Sequence, residues 1–272
     1  MSTQSRPEQS PVKREKSKSA RPMINRLVEK KLIHEVSLQE YKSKVRKVYD
    51  GPKGAFLAAA SMLSLHTPLG ERLFSTSRFS LRGAKQILDV GSGAGQIAKH
   101  LIKYSDPDAG ITCFDLSYEM LRRARARMKS DRPVYMAADL SHLPFADATF
   151  DCVTCGFVLE HLPDPKIGLA ELARVMSPGG RMLLLTTEDS FSGAFTSYIW
   201  YCRTYNRREL LQTCEQVGLR LKSELWYTRM HKAFAPAASA SNWNASKVRA
   251  TPGPIGMTAK TVRRVGDAAE SA

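Results

Sequence analysis

Two hydrophobic rhythms alternate along the middle of the chain. Short stretches that are apolar nearly throughout, ILDV (87–90), ITCFD (111–115), PVYMAAD (133–139), FDCVTCGFVLEHL (150–162) and RMLLLTTE (181–188), read as strands buried on both faces. Between them apolar residues recur every three or four positions: Ile97, Leu101 and Ile102; Met120, Leu121, Ala124 and Met128; Leu169, Leu172, Ala173 and Met176. Those spacings predict amphipathic helices. Ser117 stands where an N-cap belongs, and Asp164 followed by Pro165 reads as N-cap and first helical position. A Pro178-Gly179-Gly180 turn feeds the fifth strand. Strands alternating with helices predict an α/β, doubly wound, mostly parallel sheet.

The last part breaks the rhythm. Asn206 and Glu209 have capping-box spacing before a helix through Val217, and GLRLKSELWYTRMHKAF (218–234) then offers two strand-like stretches with no helix between them. Strands joined so briefly are antiparallel, so the sheet is expected to end in a hairpin.

The junction at 91–95 carries the first candidate chemistry. Gly91-Ser92-Gly93-Ala94-Gly95 links the first strand to its helix, and glycines there permit positive φ and a close approach of ligand to backbone. A dinucleotide fingerprint needs a third glycine where Gln96 stands. Asp89, two residues before the first glycine, would place a carboxylate at the strand tip, repelling a diphosphate and suiting an ammonium group.

Composition narrows the classes. The chain has 272 residues, room for one α/β domain with additional segments. No apolar run reaches the roughly 18 residues of a membrane span, and MSTQSRPEQSPVKREKSKSARP lacks a signal core, so a soluble cytoplasmic protein is expected. Five scattered cysteines fit a reducing compartment. Net charge is +15, with 13 Lys+Arg against 6 Asp+Glu in residues 1–50 and 5 against 2 in residues 235–272. The expected organisation is a disordered basic tail over 1–38, a helical cap over 39–84, the α/β domain over 85–236 and a disordered tail over 237–272. Basic tails suit nucleic acid or an anionic membrane, or serve solubility alone.

The segments DVGSGAG, FDLSYEML, AADLSHLPFADATFD, LEHLPDP, ELARVMSPGGRMLLLTT and YNRREL…VGL, in that order and at matching intervals, resemble the class I S-adenosylmethionine-dependent methyltransferases. The similarity covers about residues 85 to 235 and is greatest to the type 11 group, which includes the ubiquinone/menaquinone-biosynthesis C-methyltransferases. It implies a seven-stranded sheet with its last strand antiparallel and S-adenosylmethionine as cofactor. It implies that Asp115 accepts from the ribose hydroxyls with Leu116 beside it. Asp139 would accept from the adenine amine, flanked by Ala138 and Leu140, with Met120 on the other face or in the core. Asp89, Gly91, Ser92, Gly93 and Gly95 would meet the methionine portion, Asp89 through water or backbone. Gly156 lies on the same edge, where open α/β sheets bind ligands.

No catalytic residue declares itself, because in-line displacement at a sulfonium methyl needs alignment and exclusion of water more than a covalent group. His161 is the candidate general base, with Glu160 behind it; a structural histidine capping the next helix is the alternative. Cys152 and Cys155 make a C-x-x-C whose side chains fall on opposite faces of a strand, and with no second pair no metal site is expected. Tyr49 in the cap and the apolar stripe Phe191, Phe195, Tyr198 and Ile199 are expected to close over the site. That lid favours a small apolar or aromatic acceptor methylated at carbon or oxygen. An RNA methyltransferase using its basic tails, and a non-catalytic cofactor-binding protein, are the alternatives. Oligomeric state is not legible.

Overall fold

The computed structural model describes residues 43, 46–47, 50–52, 66–76, 78–162, 164–187, 203–227 and 257–265. Seven strands form one sheet: β1 (Gln86–Val90), β2 (Gly110–Asp115), β3 (Pro133–Ala137), β4 (Phe150–Gly156), β5 (Met176–Thr187), β6 (Leu219–Tyr227) and β7 (Met257–Arg264). Their spatial order is β3-β2-β1-β4-β5-β7-β6. The first five run parallel, and β7 is antiparallel to both β5 and β6. The doubly wound expectation and the antiparallel last strand are therefore both met.

The helices are α1 (His66–Ser75), α2 (Ala98–Tyr104), α3 (Tyr118–Met128), α4 (Pro165–Val175) and α5 (Arg207–Gln216). Caps fall where the side-chain chemistry predicts. Ser117 accepts from the Met120 N–H, Asp164 from the Lys166 N–H, and Asn206 from the N–H groups of Arg208 and Glu209. Because strand side chains alternate, the sheet separates two cores. On one face Leu169 and Leu172 of α4 and Leu210 and Cys214 of α5 cover Leu88, Val153 and Leu184. On the other, Leu73 and Phe74 of α1, Ala98 and Leu101 of α2 and Leu121 of α3 cover Ile87, Ile111 and Leu183.

Two expectations are corrected. The C-terminal stretch over 237–272 does not lie wholly outside the fold, since residues 257–264 are β7, wedged between β5 and β6. The hairpin is accordingly replaced: GLRLKSELWY supplies β6, but its antiparallel partner comes from 257–264 and not from TRMHKAF, which lies outside the described residues. The reason is visible in β7 itself. Its buried positions include Ala259, Lys260 and Val262, so a lysine occupies a core position and erases the hydrophobic alternation. The Pro178-Gly179-Gly180 turn is also absorbed into β5, as an irregularity in pairing between Phe150↔Met176 and Cys152↔Arg181. Residues 1–38, Tyr49 and the 191–201 lid lie outside the described residues.

Candidate active site

The parallel strands β1, β2, β3 and β4 end on one edge, so the residues at positions 91, 115, 139 and 156 gather there. The Gly91–Gly95 junction is built against β2. The N–H groups of Gly91 and Ser92 both donate to the Phe114 carbonyl, at 2.8 and 2.9 Å. Gly91, Gly93 and Gly95 all take positive φ, at 69°, 52° and 88°. Gly91 is needed for space as well, since a Cβ there would lie 2.0 Å from Val158 Cγ2.

Asp115 closes the other side of this turn. Its Oδ2 accepts from the Gly93 N–H at 2.9 Å and its Oδ1 from the Ser117 N–H at 2.8 Å. The carboxylate is thus fixed between the glycine turn and the first turn of α3, where the helix end favours negative charge. Burial pushes its pKa up, backbone donors pull it down, and the nearby Asp50 raises it further. Asp50, from the segment before α1, reaches this corner by accepting from Ser117 Oγ at 2.5 Å. Sequence reasoning missed Asp50, and nothing in its local pattern marks it.

Asp139 follows β3, and its Oδ1 accepts from the Ser141 N–H at 2.9 Å, turning the chain back at the same edge. The Ala138 N–H donates to the Asp115 carbonyl at 3.1 Å, so the two acidic corners are joined through backbone.

The expected cofactor residues divide into two sets. Gly91, Gly93, Asp115, Leu116, Ala138, Asp139 and Gly156 are partly open at the edge, whereas Asp89, Ser92, Gly95, Met120 and Leu140 are buried. Asp89 is not presented at the strand tip. Its side chain is enclosed on the α2 side of the sheet, where Thr154 Oγ1 donates to its Oδ1 at 2.7 Å, and its Oδ2 has no hydrogen-bond partner among the described residues. Strand register puts Asp89 beside Thr154 and Cys113, which is why it faces inward. Burial pushes its pKa up to about 7. Ser92 turns its hydroxyl back to the Asp89 carbonyl at 2.9 Å, and Met120 packs on Ala94 of the glycine turn. Leu140 belongs to the core. These buried residues shape the turn from beneath and leave backbone and Asp115 to face a ligand.

Past β4 a short 3₁₀ turn spans Leu159–His161. Burial lowers the His161 pKa to about 4, so its ring is neutral near pH 7 and a weak base. It does not cap the following helix, a task taken by Asp164. Glu160 is a bracket: its Oε1 accepts from the Thr187 N–H at 2.7 Å, and its carbonyl accepts from the Arg203 N–H at 3.1 Å. Its Oε2 has no hydrogen-bond partner among the described residues, and burial pushes its pKa up to about 7. Cys152 and Cys155 do sit in opposite cores, and burial pushes both thiols up, Cys152 to about 12. Neither is an activated nucleophile.

The corner fits the adenosyl ligand that the sequence implies. Asp115 offers acceptor lone pairs beyond its backbone donors, which suits vicinal hydroxyls, and the glycine turn brings bare backbone to the same edge. With fold and corner established, comparison with known proteins gives the class. Residues 88–184 match the family described as "Methyltransferase domain". That stretch is similar to the class I S-adenosylmethionine-dependent methyltransferases of the type 11 group.

Among individual relatives, the chain is 35% identical over 143 residues to a ubiquinone/menaquinone biosynthesis C-methyltransferase of Desulfotalea psychrophila, covering 53% of this chain and 58% of that protein. It is also 35% identical over 146 residues to a malonyl-[acyl-carrier protein] O-methyltransferase of Hahella chejuensis, covering 53% and 50%. The similarity thus spans about half the length of these curated relatives. The magnesium protoporphyrin IX methyltransferase of Synechocystis, solved with bound SAH, shares the fold at a TM-score of 0.59 and 14% identity, covering 82% of this chain and 99% of that one.

Proposed function

We propose that the chain uses S-adenosylmethionine to methylate a carbon or oxygen of a small apolar or aromatic acceptor. The observation that carries this reading is the Asp115 carboxylate held between the Gly93 and Ser117 N–H groups at the ligand edge of the sheet. Relatives of equal identity that act at carbon and at oxygen support leaving both atoms in the reading.

When bound, S-adenosylmethionine supplies an electrophilic methyl on a sulfonium sulfur. Asp115 would accept from the ribose hydroxyls with Leu116 beside it, Asp139 from the adenine amine with Ala138 beside it, and the backbone of Gly91 and Gly93 would border the methionine portion. The chain's remaining task is alignment of the two reactants, which supplies roughly 7–11 kcal/mol in well-oriented reactions. His161 remains the candidate proton acceptor by position. With a pKa lowered to about 4 it is a weak base, and that confines the reading to acceptors already acidic at the reacting atom. No helix among the described residues is long and apolar enough to cross a membrane. A cytoplasmic location belongs to the same reading.

The test is incubation of the full chain with methyl-labelled cofactor and three separate acceptor sets: phenols and hydroquinones, total RNA, and none. Label in organic-extractable product supports the reading. Label in RNA replaces it with the nucleic-acid alternative, and binding of the cofactor without transfer to any set replaces it with a non-catalytic role.

A further inference from the structure

Helix α3 buries one side and leaves an unusual stripe on the other. Met120, Leu121 and Ala124 face the interior. Tyr118, Arg122, Arg125 and Lys129, spaced by four, three and four residues, fall on a single outward stripe, and all four are exposed. Tyr118 is 71% exposed, the largest value among the exposed large hydrophobics of the described residues. Residues 118–129 hold five Arg and Lys against one acid, Glu119. That acid pairs with Arg122 at 2.8 Å and Arg123 at 3.3 Å, while Arg125 and Lys129 make no ion pair among the described residues.

The stripe is tied to the ligand edge. Tyr118 directly follows Ser117, whose N–H is held by Asp115. Two further arginines flank it on the side of the glycine turn: Arg127 donates to the Ala94 carbonyl at 3.2 Å and Arg123 to the Asp50 carbonyl at 3.4 Å. The helix needs no such charge for itself, because one or two cations in the last turn satisfy its dipole. An aromatic ring at one end of a cationic row matches the interface of an anionic bilayer, where tyrosine sits at headgroup level and each Lys or Arg adds attraction.

We propose that this face of α3 docks the chain on an anionic lipid surface, with the Tyr118 end placing the cofactor edge beside the membrane. The choice of lipid over nucleic acid rests on the proposed apolar acceptor, which would partition into hydrocarbon and reach the site from there. Docking is measured without methyl transfer, so its failure and the failure of the methyltransferase reading are separate results.

The test uses the full chain and vesicles of phosphatidylcholine alone or with 30 mol% (about one lipid in three) phosphatidylglycerol, near the anionic content that gives cytoplasmic leaflets their negative potential. Sedimentation with the mixed vesicles and not with the neutral ones is expected. At roughly fivefold per cation, R122Q/R125Q/K129Q should weaken that binding about 100-fold while leaving calorimetric affinity for S-adenosylhomocysteine unchanged. Tyr118→Trp should add indole fluorescence that is quenched by brominated lipid beyond the wild-type level. Undiminished vesicle binding by the triple variant would overturn the proposal and assign any attraction to the basic residues of 1–50. Loss of transfer-RNA binding in the triple variant, with vesicle binding intact, would overturn it in favour of nucleic acid.

Discussion

Thr154 on β4 donates its hydroxyl to Asp89 Oδ1 on β1 at 2.7 Å, and this carboxylate is fully buried beneath the glycine turn. Hydroxyl donors do not offset removal of a charge from water, so burial holds Asp89 up to about 7. An acid whose folded pKa lies above its unfolded value destabilises the fold once it must ionise. Its contribution is lost as pH rises from about 4 to about 7, on the order of 4 kcal/mol. Glu160 has the same sign, whereas His100 and His161, both lowered to about 4, gain stability over nearly the same range. The wild-type profile is therefore flattened by opposing groups. Asp89→Asn should gain stability relative to wild type between pH 4.5 and 7.5, read by urea unfolding at both pH values. Parallel profiles for the two proteins would show that Asp89 does not titrate in that window.

Gly91 combines a φ of 69° with a position that a Cβ cannot share with Val158. Gly91→Ala is expected to cost about 1–2 kcal/mol from backbone alone, with the contact adding to it. The midpoint of thermal unfolding should fall by several degrees and affinity for S-adenosylhomocysteine by more than tenfold. Gly91→Ala combined with Val158→Ala should recover the steric share and not the rest. Full recovery would mean that the backbone is not strained.

Lys260 lies at 0% exposure on β7, with its Nζ 3.2 Å from Thr186 Oγ1 and 3.4 Å from Glu224 Oε1. Glu224 in turn is held by Arg207 at 2.5 Å, so β5, β6, β7 and the start of α5 meet in one charged cluster. Lys260→Ala should cost about 3 kcal/mol, because removing one partner of a buried pair strands the other. Chains ending before residue 257 should fail to fold, since the facing edges of β5 and β6 would lose their shared strand. Soluble, cooperative unfolding of such a shortened chain would contradict this account of β7.

The parallel half of the fold was legible because each strand there is apolar nearly throughout and two of its helices open on capping residues, Ser117 and Asp164. The order of the edge strands was not. β7 pairs with β5 and β6 across the long separation between 227 and 257, and its Lys260 looks polar until Glu224 and Thr186 are known to receive it. In the site, Asp115 was readable from its place at a strand end. The inward turn of Asp89 and Ser92 was not, because it depends on Thr154 in a neighbouring strand. Thr154 sits directly beside Asp89 on the adjacent strand, a pairing that only the sheet order reveals. Asp50 reaches Ser117 from a segment whose pattern gives no sign of the contact.

Isothermal titration of the full chain with S-adenosylmethionine and S-adenosylhomocysteine tests the central claim, that Asp115 and the glycine turn form an adenosyl site. Both ligands should bind the wild type, and Asp115→Ala should weaken both by 10- to 100-fold, roughly 1.5–3 kcal/mol for lost hydrogen bonds to a charged acceptor. Equal affinity in wild type and variant, or no heat with either ligand, would contradict it.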